Sequence, residues 1–318
     1  MSFVGGGSDL PSFYRKHGGA VVSTAINKYV YVTVNPKFDH RTRVSYSRTE
    51  EVETVGEIEH PLVRESMKLL RLKGGLEITS IADIPSRGTG LGSSSSFTVG
   101  LLHALHASSG RYASAERLAQ EACEIEIERC KEPIGKQDQY AAAYGGLNFI
   151  QFHPDDLVSV DPIVCRRETL RRLQENIVVF YTGISRNASD ILKHQQAAVA
   201  AEPDKQDMLK KMVQLAHDLR TELQKNNLDA FGEIIHANWE LKRALSRGIS
   251  TGPIDRWYAA ARRAGAIGGK LLGAGSGGFL MFYGPRERHD AIARGLKGLR
   301  RADLGFEPQG SKIIFVHD

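Results

Sequence analysis

The sequence predicts an α+β protein with two domains. Strand patterns come first in the chain, a long stretch of helical pattern follows, and a glycine-rich segment then leads into further strands and a helix. This order differs from a regular βαβ array, in which strands and helices alternate throughout. A length of 318 residues suits two hydrophobic cores, each built from roughly 150 residues.

The first predicted strand shows a period of two residues. Val30, Val32 and Val34 alternate with Tyr29, Tyr31 and Thr33, as expected for a strand with one buried face. Shorter apolar runs predict further strands over 76–81, 147–152, 177–182, 279–283 and 312–316.

The first clear helical spacing follows a serine-rich segment that can cap a helix. There Phe97, Leu101, Leu102 and Leu105 recur at i, i+4, i+5 and i+8. Other helices are predicted over 113–131, 254–264 and 288–299, and 188–246 reads as three helices broken near Pro203 and Asn226-Asn227.

The domain boundary is predicted near residue 165, since the early strand patterns and the long helical stretch meet there. An N-terminal domain would then cover residues 1–165, and a C-terminal domain would cover 166–318.

Composition excludes several classes of protein. Hydrophobic residues make up 41% and charged residues 25%, as in ordinary globular chains. The sequence contains neither an apolar run of the roughly 20 residues that span a membrane nor a secretory signal, so we expect a cytoplasmic protein without a membrane partner. Three cysteines without a C-x-x-C pair argue against a disulfide framework or a zinc site.

The net charge of +5 suits anionic small molecules such as nucleotides and sugar phosphates. The densest basic run, over 166–172, has no interleaved aromatic residues on which bases could stack. We therefore expect no nucleic-acid partner, and homo-oligomer formation is compatible with the sequence.

The most informative segment is P-S-R-G-T-G-L-G-S-S-S-S over 85–96, directly before the first predicted helix. Glycines allow close backbone approach to a ligand, and a helix N-terminus presents free N–H groups, so the two together form a phosphate cradle. One serine hydroxyl could ligate magnesium, which prefers hard oxygen donors. The pattern is neither a Walker A motif nor G-x-G-x-x-G, and the competing interpretation is a flexible connector.

Two further glycine-rich segments support a phosphate enzyme. Residues 265–278 contain seven glycines in fourteen positions, which fits either a close ligand contact or a tight connection between domains. Near the N-terminus, Gly5-Gly6-Gly7-Ser8-Asp9 places a carboxylate after a bare turn. That carboxylate could bind sugar hydroxyls or cap the next helix.

These three motifs, in this order, resemble those of the GHMP kinases. The loop over 85–96 looks like the P-x-x-x-G-L-G-S-S-A-A signature of this superfamily, with serines in place of the two alanines. The resemblance implies a ribosomal-protein-S5-like N-terminal domain that binds nucleotide and substrate, and a ferredoxin-like α/β C-terminal domain. It also implies ATP and Mg²⁺ as cofactors and a small-molecule alcohol as acceptor.

Within this superfamily, G-G-G-S-D-L-P-S-F, I-N-K-Y-V-Y-V, Y-T-G-I-S-R and K-L-L-G-A-G look like segments of the D-glycero-D-manno-heptose 7-phosphate kinases. These enzymes phosphorylate the anomeric hydroxyl to give a 1,7-bisphosphate that feeds nucleotide-activated heptose and surface polysaccharide. Fucokinase domains share several of these segments and remain the alternative. A catalytically silent binding module and a nucleic-acid-binding protein are the rival classes.

The resemblance assigns a role to individual residues. Asp138 in G-K-Q-D-Q matches the catalytic aspartate, Ser94 matches the serine that ligates magnesium, and Glu128 matches the magnesium-binding glutamate, with Glu126 as the alternative. The residues expected to hold ATP are Gly88, Thr89, Gly90, Leu91, Gly92, Ser93, Ser94 and Ser95.

The acceptor is expected to contact residues from four segments of the chain. They are Gly6, Gly7, Ser8, Asp9, Lys136, Gln137, Arg186, Gly273, Gly275 and Ser276. For a phosphate on the substrate, the candidate partners are Arg186, Lys136 and Arg15, because a charged nitrogen makes the strongest hydrogen bonds to phosphate.

Overall fold

The computed structural model describes residues 1–84, 89–184 and 188–317. Contacts group the chain into two compact units whose segments alternate along the sequence. One unit contains Met1–Asn27, Gly146–Glu307 and a short segment that ends at Leu91. The other contains the segment that begins at Lys28, then Gly92–Gly145 and the residues after Glu307. This division does not follow the predicted boundary near residue 165, because the strand after Gly146 pairs with a strand near the N-terminus.

The strands are numbered in chain order. They are β1 (Ser2–Val4), β2 (Gly19–Thr24), β3 (Val30–Pro36), β4 (Thr42–Ser45), β5 (Thr49–Val52), β6 (Leu76–Ala82), β7 (Leu147–Phe152), β8 (Val158–Pro162), β9 (Ile177–Tyr181), β10 (Gly268–Leu271), β11 (Phe279–Tyr283) and β12 (Arg300–Ala302).

The helices are numbered in the same way. They are α1 (Pro11–His17), α2 (Pro61–Leu69), α3 (Ser93–Ser108), α4 (Ala115–Cys123), α5 (Gln137–Tyr144), α6 (Arg167–Glu175), α7 (Ala188–Ala201), α8 (Pro203–Gln224), α9 (Phe231–Leu245), α10 (Gly252–Arg263) and α11 (His289–Gly295). A π-helical segment, Glu124–Arg129, continues α4. Over the described ranges, no helix is both long and apolar enough to cross a bilayer.

The unit that contains the N-terminus has antiparallel sheets of strand order β1-β2-β7-β8 and β10-β11-β9-β12. Strands β2 and β11 are buried along their whole length, so neither shows the alternation of apolar and polar residues that marks a half-exposed strand. The main core gathers large side chains such as Trp239 on α9, Phe180 on β9 and Phe282 on β11. The strands at the centre of these sheets are therefore buried, whereas the edge strands β8 and β12 are partly exposed.

The unit that begins at Lys28 contains the sheet β3-β6-β4-β5, in which only the β4–β6 pair is parallel. Helix α3 packs on β3. Of the residues whose helical spacing predicted this helix, Leu101, Leu102 and Leu105 are fully buried and Phe97 is half-buried. This packing fixes the direction of α3 and thus the position of its serine-rich N-terminus.

Most of the predicted elements are confirmed. Strands lie within two residues of the predictions at β3, β6, β7, β9 and β11. The long helical stretch consists of α7, α8 and α9. Pro203 begins α8 at a position that suits its fixed φ, and Asn226 ends it with a left-handed φ of 62°.

The predicted strand over 312–316 is wrong. No strand is assigned there among the described residues, and Ile314 and Phe315 are 71% and 77% exposed. The residue types favour a strand, but strand formation also needs a neighbour that supplies hydrogen bonds and a packing surface. Strands β1, β2, β4, β5, β8, β10 and β12 were missed because they are short or lack alternation.

Candidate active site

Two of the glycine-rich motifs contact each other. Gly90 has a φ of +72° and Gly273 a φ of +79°. A Cβ atom on Gly90 would lie 2.5 Å from the Leu272 carbonyl oxygen, and one on Gly273 would lie 2.4 Å from the Gly90 Cα. Only glycine fits this close contact between the two chain segments. The glycine-rich segments at Gly90 and at Gly273 are therefore adjacent, as a shared ligand site requires.

The glycine-rich loop that contains Gly90 and Gly92 ends at the N-terminus of α3. Gly92 precedes the helix in a left-handed conformation, with a φ of 73°. The first intrahelical hydrogen bond runs from the Ser96 N–H to the Gly92 carbonyl, so the amides of Ser93, Ser94 and Ser95 precede the helical ladder. The positive end of the helix dipole lies at these amides and favours an anion.

A buried carboxylate lies beside this helix terminus. Glu126 is fully buried. Its carboxylate oxygens accept hydrogen bonds from Ser94 Oγ at 2.6 Å, Ser95 Oγ at 2.8 Å and Gln139 Nε2 at 2.6 Å. Burial raises the pKa of Glu126, and the charge of Asp138 adds to this increase, while the three hydrogen bonds oppose it. A cation at this carboxylate would stabilise its ionised form.

The π-helical segment decides which glutamate points inward. In E-I-E-I-E-R, Glu126 is buried and Glu128 is exposed. A π-helix holds more residues in each turn than an α-helix does, so α-helical spacing cannot predict the inward position. The metal role of Glu128 stays a prediction, whereas Glu126, the alternative, is the glutamate that contacts Ser94.

Asp138 stands in the first turn of α5 and is exposed. A Cβ atom on Gly92 would lie 3.3 Å from Asp138 Cγ, so the aspartate lies against the start of α3. The next residue, Gln139, is fully buried and donates to Glu126. Sequence reasoning missed the role of Gln139, although the residue belongs to the quoted G-K-Q-D-Q segment.

The other predicted residues near α5 and in the phosphate loop are placed only in part. Lys136 directly precedes α5 and is half-buried, and Gln137 is the first residue of this helix. Thr89 and Leu91 are buried. Gly88 and Arg186 lie outside the described residues.

In the N-terminal glycine turn, Ser8 and Asp9 are both buried, with Asp9 2% exposed, and they have different partners. The Ser8 hydroxyl is fully buried and hydrogen-bonds both the carbonyl and the N–H of Ala20, each at 3.1 Å. Asp9 Oδ1 accepts a hydrogen bond from the Gly7 N–H at 2.9 Å. The turn thus fixes one oxygen of the Asp9 carboxylate.

The third motif is held by the loop after α9. Ser276 adopts a φ of 61°; its hydroxyl donates to the Gly248 carbonyl, and its N–H donates to the Ile249 carbonyl at 2.9 Å. A Cβ atom on Gly275 would lie 2.8 Å from Ile249 Cα. Gly275 and Ser276 therefore make structural contacts to this loop.

Comparison with known proteins identifies the family. The model for the GHMP kinases N terminal domain matches residues 61–146, and the model for the GHMP kinases C terminal domain matches residues 219–299. The chain is 29% identical to the D-glycero-alpha-D-manno-heptose 7-phosphate kinase of Campylobacter jejuni, over 98% of this chain and 96% of that protein. It is 25% identical to the bifunctional fucokinase/GDP-fucose pyrophosphorylase of Arabidopsis thaliana, over 88% of this chain and 28% of that protein.

A solved structure agrees with these matches. The crystal structure of a D-glycero-D-manno-heptose 1-phosphate kinase from Bacteroides thetaiotaomicron superimposes with a TM-score of 0.79 at 26% identity, covering 98% of this chain and 94% of that one. With both family models matched and nearly its whole length shared with such kinases, the chain belongs to the GHMP kinase family and is a phosphotransferase that uses an alcohol group as acceptor.

Proposed function

We propose that this protein transfers a phosphoryl group from ATP to the anomeric hydroxyl of D-glycero-D-manno-heptose 7-phosphate and forms the 1,7-bisphosphate. The observation that carries the proposal is the buried Glu126 carboxylate beside Ser94 at the N-terminus of α3, with Asp138 against Gly92. The match to the C. jejuni kinase over nearly the whole chain supports the choice of acceptor.

The donor nucleotide is expected at the start of α3. GHMP kinases use ATP as phosphate donor. The leading amides of Ser93, Ser94 and Ser95 and the glycine backbone at Gly90 and Gly92 offer N–H groups to its phosphates. Transfer of a phosphoryl group depends mainly on such positioning and on neutralisation of charge.

The residues beside this helix fit a magnesium ion. The part of the chain that the structure describes contains no group of three His, Cys, Asp or Glu side chains suited to a metal. Magnesium in kinase sites needs only one or two carboxylates, because water and the phosphates of the nucleotide complete its shell. Ser94 and Glu126 would hold the ion, which would supply positive charge to the β- and γ-phosphate oxygens.

Asp138 is proposed as the general base. An exposed carboxylate in the first turn of α5 is accessible to an acceptor hydroxyl. It would orient that hydroxyl and take its proton as the attack on phosphorus develops. The contact with Gly92 keeps this carboxylate next to the helix terminus at which the phosphates are expected.

Asp9 is proposed to bind hydroxyl groups of the sugar. Ser8 is less suited, because both of its hydrogen bonds go to Ala20. For the phosphate of the acceptor, we propose Arg186 and Lys136. Arg15 is less suited because its guanidinium pairs with Asp156 at 3.0 Å.

A fucokinase-like sugar 1-kinase is the second candidate, favoured by the match to the plant fucokinase over 88% of this chain. The two candidates differ in one testable property, since fucose has neither a phosphate nor a seventh carbon. A charge-assisted hydrogen bond to phosphate contributes roughly 1.5–3 kcal/mol. The heptose with its 7-phosphate should therefore exceed the unphosphorylated heptose by about 10- to 150-fold in kcat/KM.

The experiment is a kinase assay over a panel of sugars and sugar phosphates, with ³¹P NMR to identify the phosphorylated position. Heptose 7-phosphate should give the highest kcat/KM and a new anomeric phosphate. Equal kcat/KM for heptose with and without its phosphate, or a preference for fucose, would contradict the proposed acceptor. Arg186→Ala should lower kcat/KM for the phosphorylated heptose and have little effect on the unphosphorylated one.

A further inference from the structure

The N-terminal glycine turn has a backbone that requires support. Gly5 and Gly7 have φ values of 86° and 107°, which few other residues adopt. The turn closes with a hydrogen bond from the Ser8 N–H to the Gly5 carbonyl at 3.0 Å. Glycine also retains more conformational freedom than other residues when a chain is not held. A defined position for Asp9 therefore needs contacts from elsewhere in the unit.

Helix α9 supplies two of these contacts. Asn238 Oδ1 accepts a hydrogen bond from the Gly5 N–H at 3.1 Å, and Lys242 Nζ donates to the Gly6 carbonyl at 3.1 Å. The two side chains are four residues apart and so lie on one face of the helix. Asn238 is fully buried and Lys242 is only 6% exposed. Burial of a lysine carries a large desolvation cost unless its charge is hydrogen-bonded, and the Gly6 carbonyl supplies such a partner here.

The lysine contact reaches Asp9 through a single peptide group. The Gly6 carbonyl that accepts from Lys242 and the Gly7 N–H that donates to Asp9 Oδ1 belong to the same planar peptide unit. Lys242 therefore sets the plane of the group that holds the carboxylate. The positive charge of Lys242 next to the carbonyl oxygen also polarises the peptide group and strengthens its N–H as a hydrogen-bond donor.

Helix α7 also contacts this turn, through the side chain of Gln195. Gln195 is fully buried, and neither atom of its amide has a hydrogen-bond partner among the described residues. A Cβ atom on Gly7 would lie 2.5 Å from Gln195 Nε2. The glutamine thus packs directly against Gly7 and limits its movement.

We propose that Lys242 is a positioning residue for the acceptor: through the Gly6–Gly7 peptide it orients the Asp9 carboxylate, with Asn238 as its partner on α9. The inference rests on the proposed function, in which Asp9 binds hydroxyl groups of the sugar. Lys242 sets the affinity for the acceptor from within the protein and leaves the binding of ATP unchanged.

The test compares Lys242→Met with the unmodified enzyme in steady-state kinetics. The variant should raise the KM for the sugar acceptor by about 5- to 10-fold, no more than a change at Asp9 itself, because the carboxylate remains and only its orientation is disturbed. The KM for ATP should stay within about 2-fold, because no ATP contact is removed. Lys242→Arg, which keeps a donor and a positive charge, should restore part of the acceptor affinity.

The matched control is Lys205→Met. Lys205 also donates to a backbone carbonyl, that of Ala244 on α9, at 2.7 Å, but it is partly exposed. This variant should leave both KM values unchanged. An unchanged acceptor KM in Lys242→Met, or an equal rise in the KM for ATP, would overturn the proposal. If Lys242→Met does not fold, Asn238→Ala is measured instead. It should raise the KM for the acceptor more than the KM for ATP, and equal changes in the two KM values would overturn the proposal.

Hydrogen exchange separates this inference from the proposed function. If no sugar in the panel is phosphorylated by the unmodified protein, the proposed function fails, and the turn is tested by exchange of the peptide that covers residues 5–9. Exchange at least about 10-fold faster in Lys242→Met than in Lys205→Met would support the positioning role. Equal exchange rates in the two variants would overturn it.

Discussion

Two regions of the molecule are built in opposite ways. At the start of α3, the chemistry lies in side chains that converge on one another, with Ser94, Ser95 and Gln139 all directed at Glu126. In the N-terminal turn, a backbone N–H positions the Asp9 carboxylate. Buried side chains from α7 and α9 contact that backbone and hold it in place.

The difference predicts different consequences of substitution. In the side-chain cluster, each change removes a charge or an oxygen that we propose to act on the donor, so turnover should fall. In the turn, a change alters the position of one carboxylate, so the KM for the acceptor should rise while the site for the donor stays intact.

The largest effect is expected for Asp138→Asn. Loss of a general base should lower kcat by at least ~10²-fold, while ATP binding is retained because the amide has nearly the same shape. Kinetics and calorimetric titration of ATP would measure the two quantities. Asp204→Asn is the matched control, since Asp204 also stands exposed in the first turn of a helix. If Asp138→Asn keeps more than about half of the wild-type kcat, Asp138 is not the base.

A smaller effect is expected for Glu126→Gln, compared with Glu128→Gln. The first change removes the buried charge and should lower kcat at limiting Mg²⁺ by about 10- to 100-fold, whereas the second should stay within about 2-fold. Because burial raises the pKa of Glu126, the ionised form is costly, and the neutral glutamine should not lower the melting temperature. Activity lost only in Glu128→Gln would return the metal role to Glu128.

An intermediate effect, on the acceptor alone, is expected for Asp9→Asn in the N-terminal turn. Asparagine keeps one oxygen for the Gly7 N–H but loses the negative charge that is proposed to bind sugar hydroxyls. The KM for the acceptor should rise about 10-fold with little change in the KM for ATP. If only the KM for ATP changed, the proposal that the turn acts on the acceptor and the start of α3 on the donor would be wrong.

The smallest effect is expected from the serines of α3. Ser94→Ala should raise the Mg²⁺ concentration needed for half-maximal activity by about 3- to 10-fold, because it removes an oxygen next to Glu126. Ser96→Ala is the control, since Ser96 occupies a position where the family has alanine. A magnesium titration of both variants gives the answer, and equal effects would argue against a metal role for Ser94.

The failures of sequence reasoning have identifiable causes. The choice between Glu126 and Glu128 depended on a π-helical segment that no α-helical period describes. The strand predicted over 312–316 has suitable residues but no strand partner in the described chain. Asn238 and Lys242 on α9 belong to no recognised sequence motif. Their proposed positioning role follows only from contacts with residues more than 230 positions away.

The sequence by itself determined the family, the strands with clear alternation, the helices with regular spacing and the glycine positions where the backbone must turn. These properties depend on local periodicity and on conformations that only glycine tolerates, so they can be read along the chain. The tertiary structure alone decided which glutamate lies beside Ser94, that Ser8 is engaged by Ala20, and that a lysine on α9 reaches the Gly6 carbonyl. Such contacts arise because packing brings distant segments together, and side-chain burial and hydrogen bonding are properties of that packing.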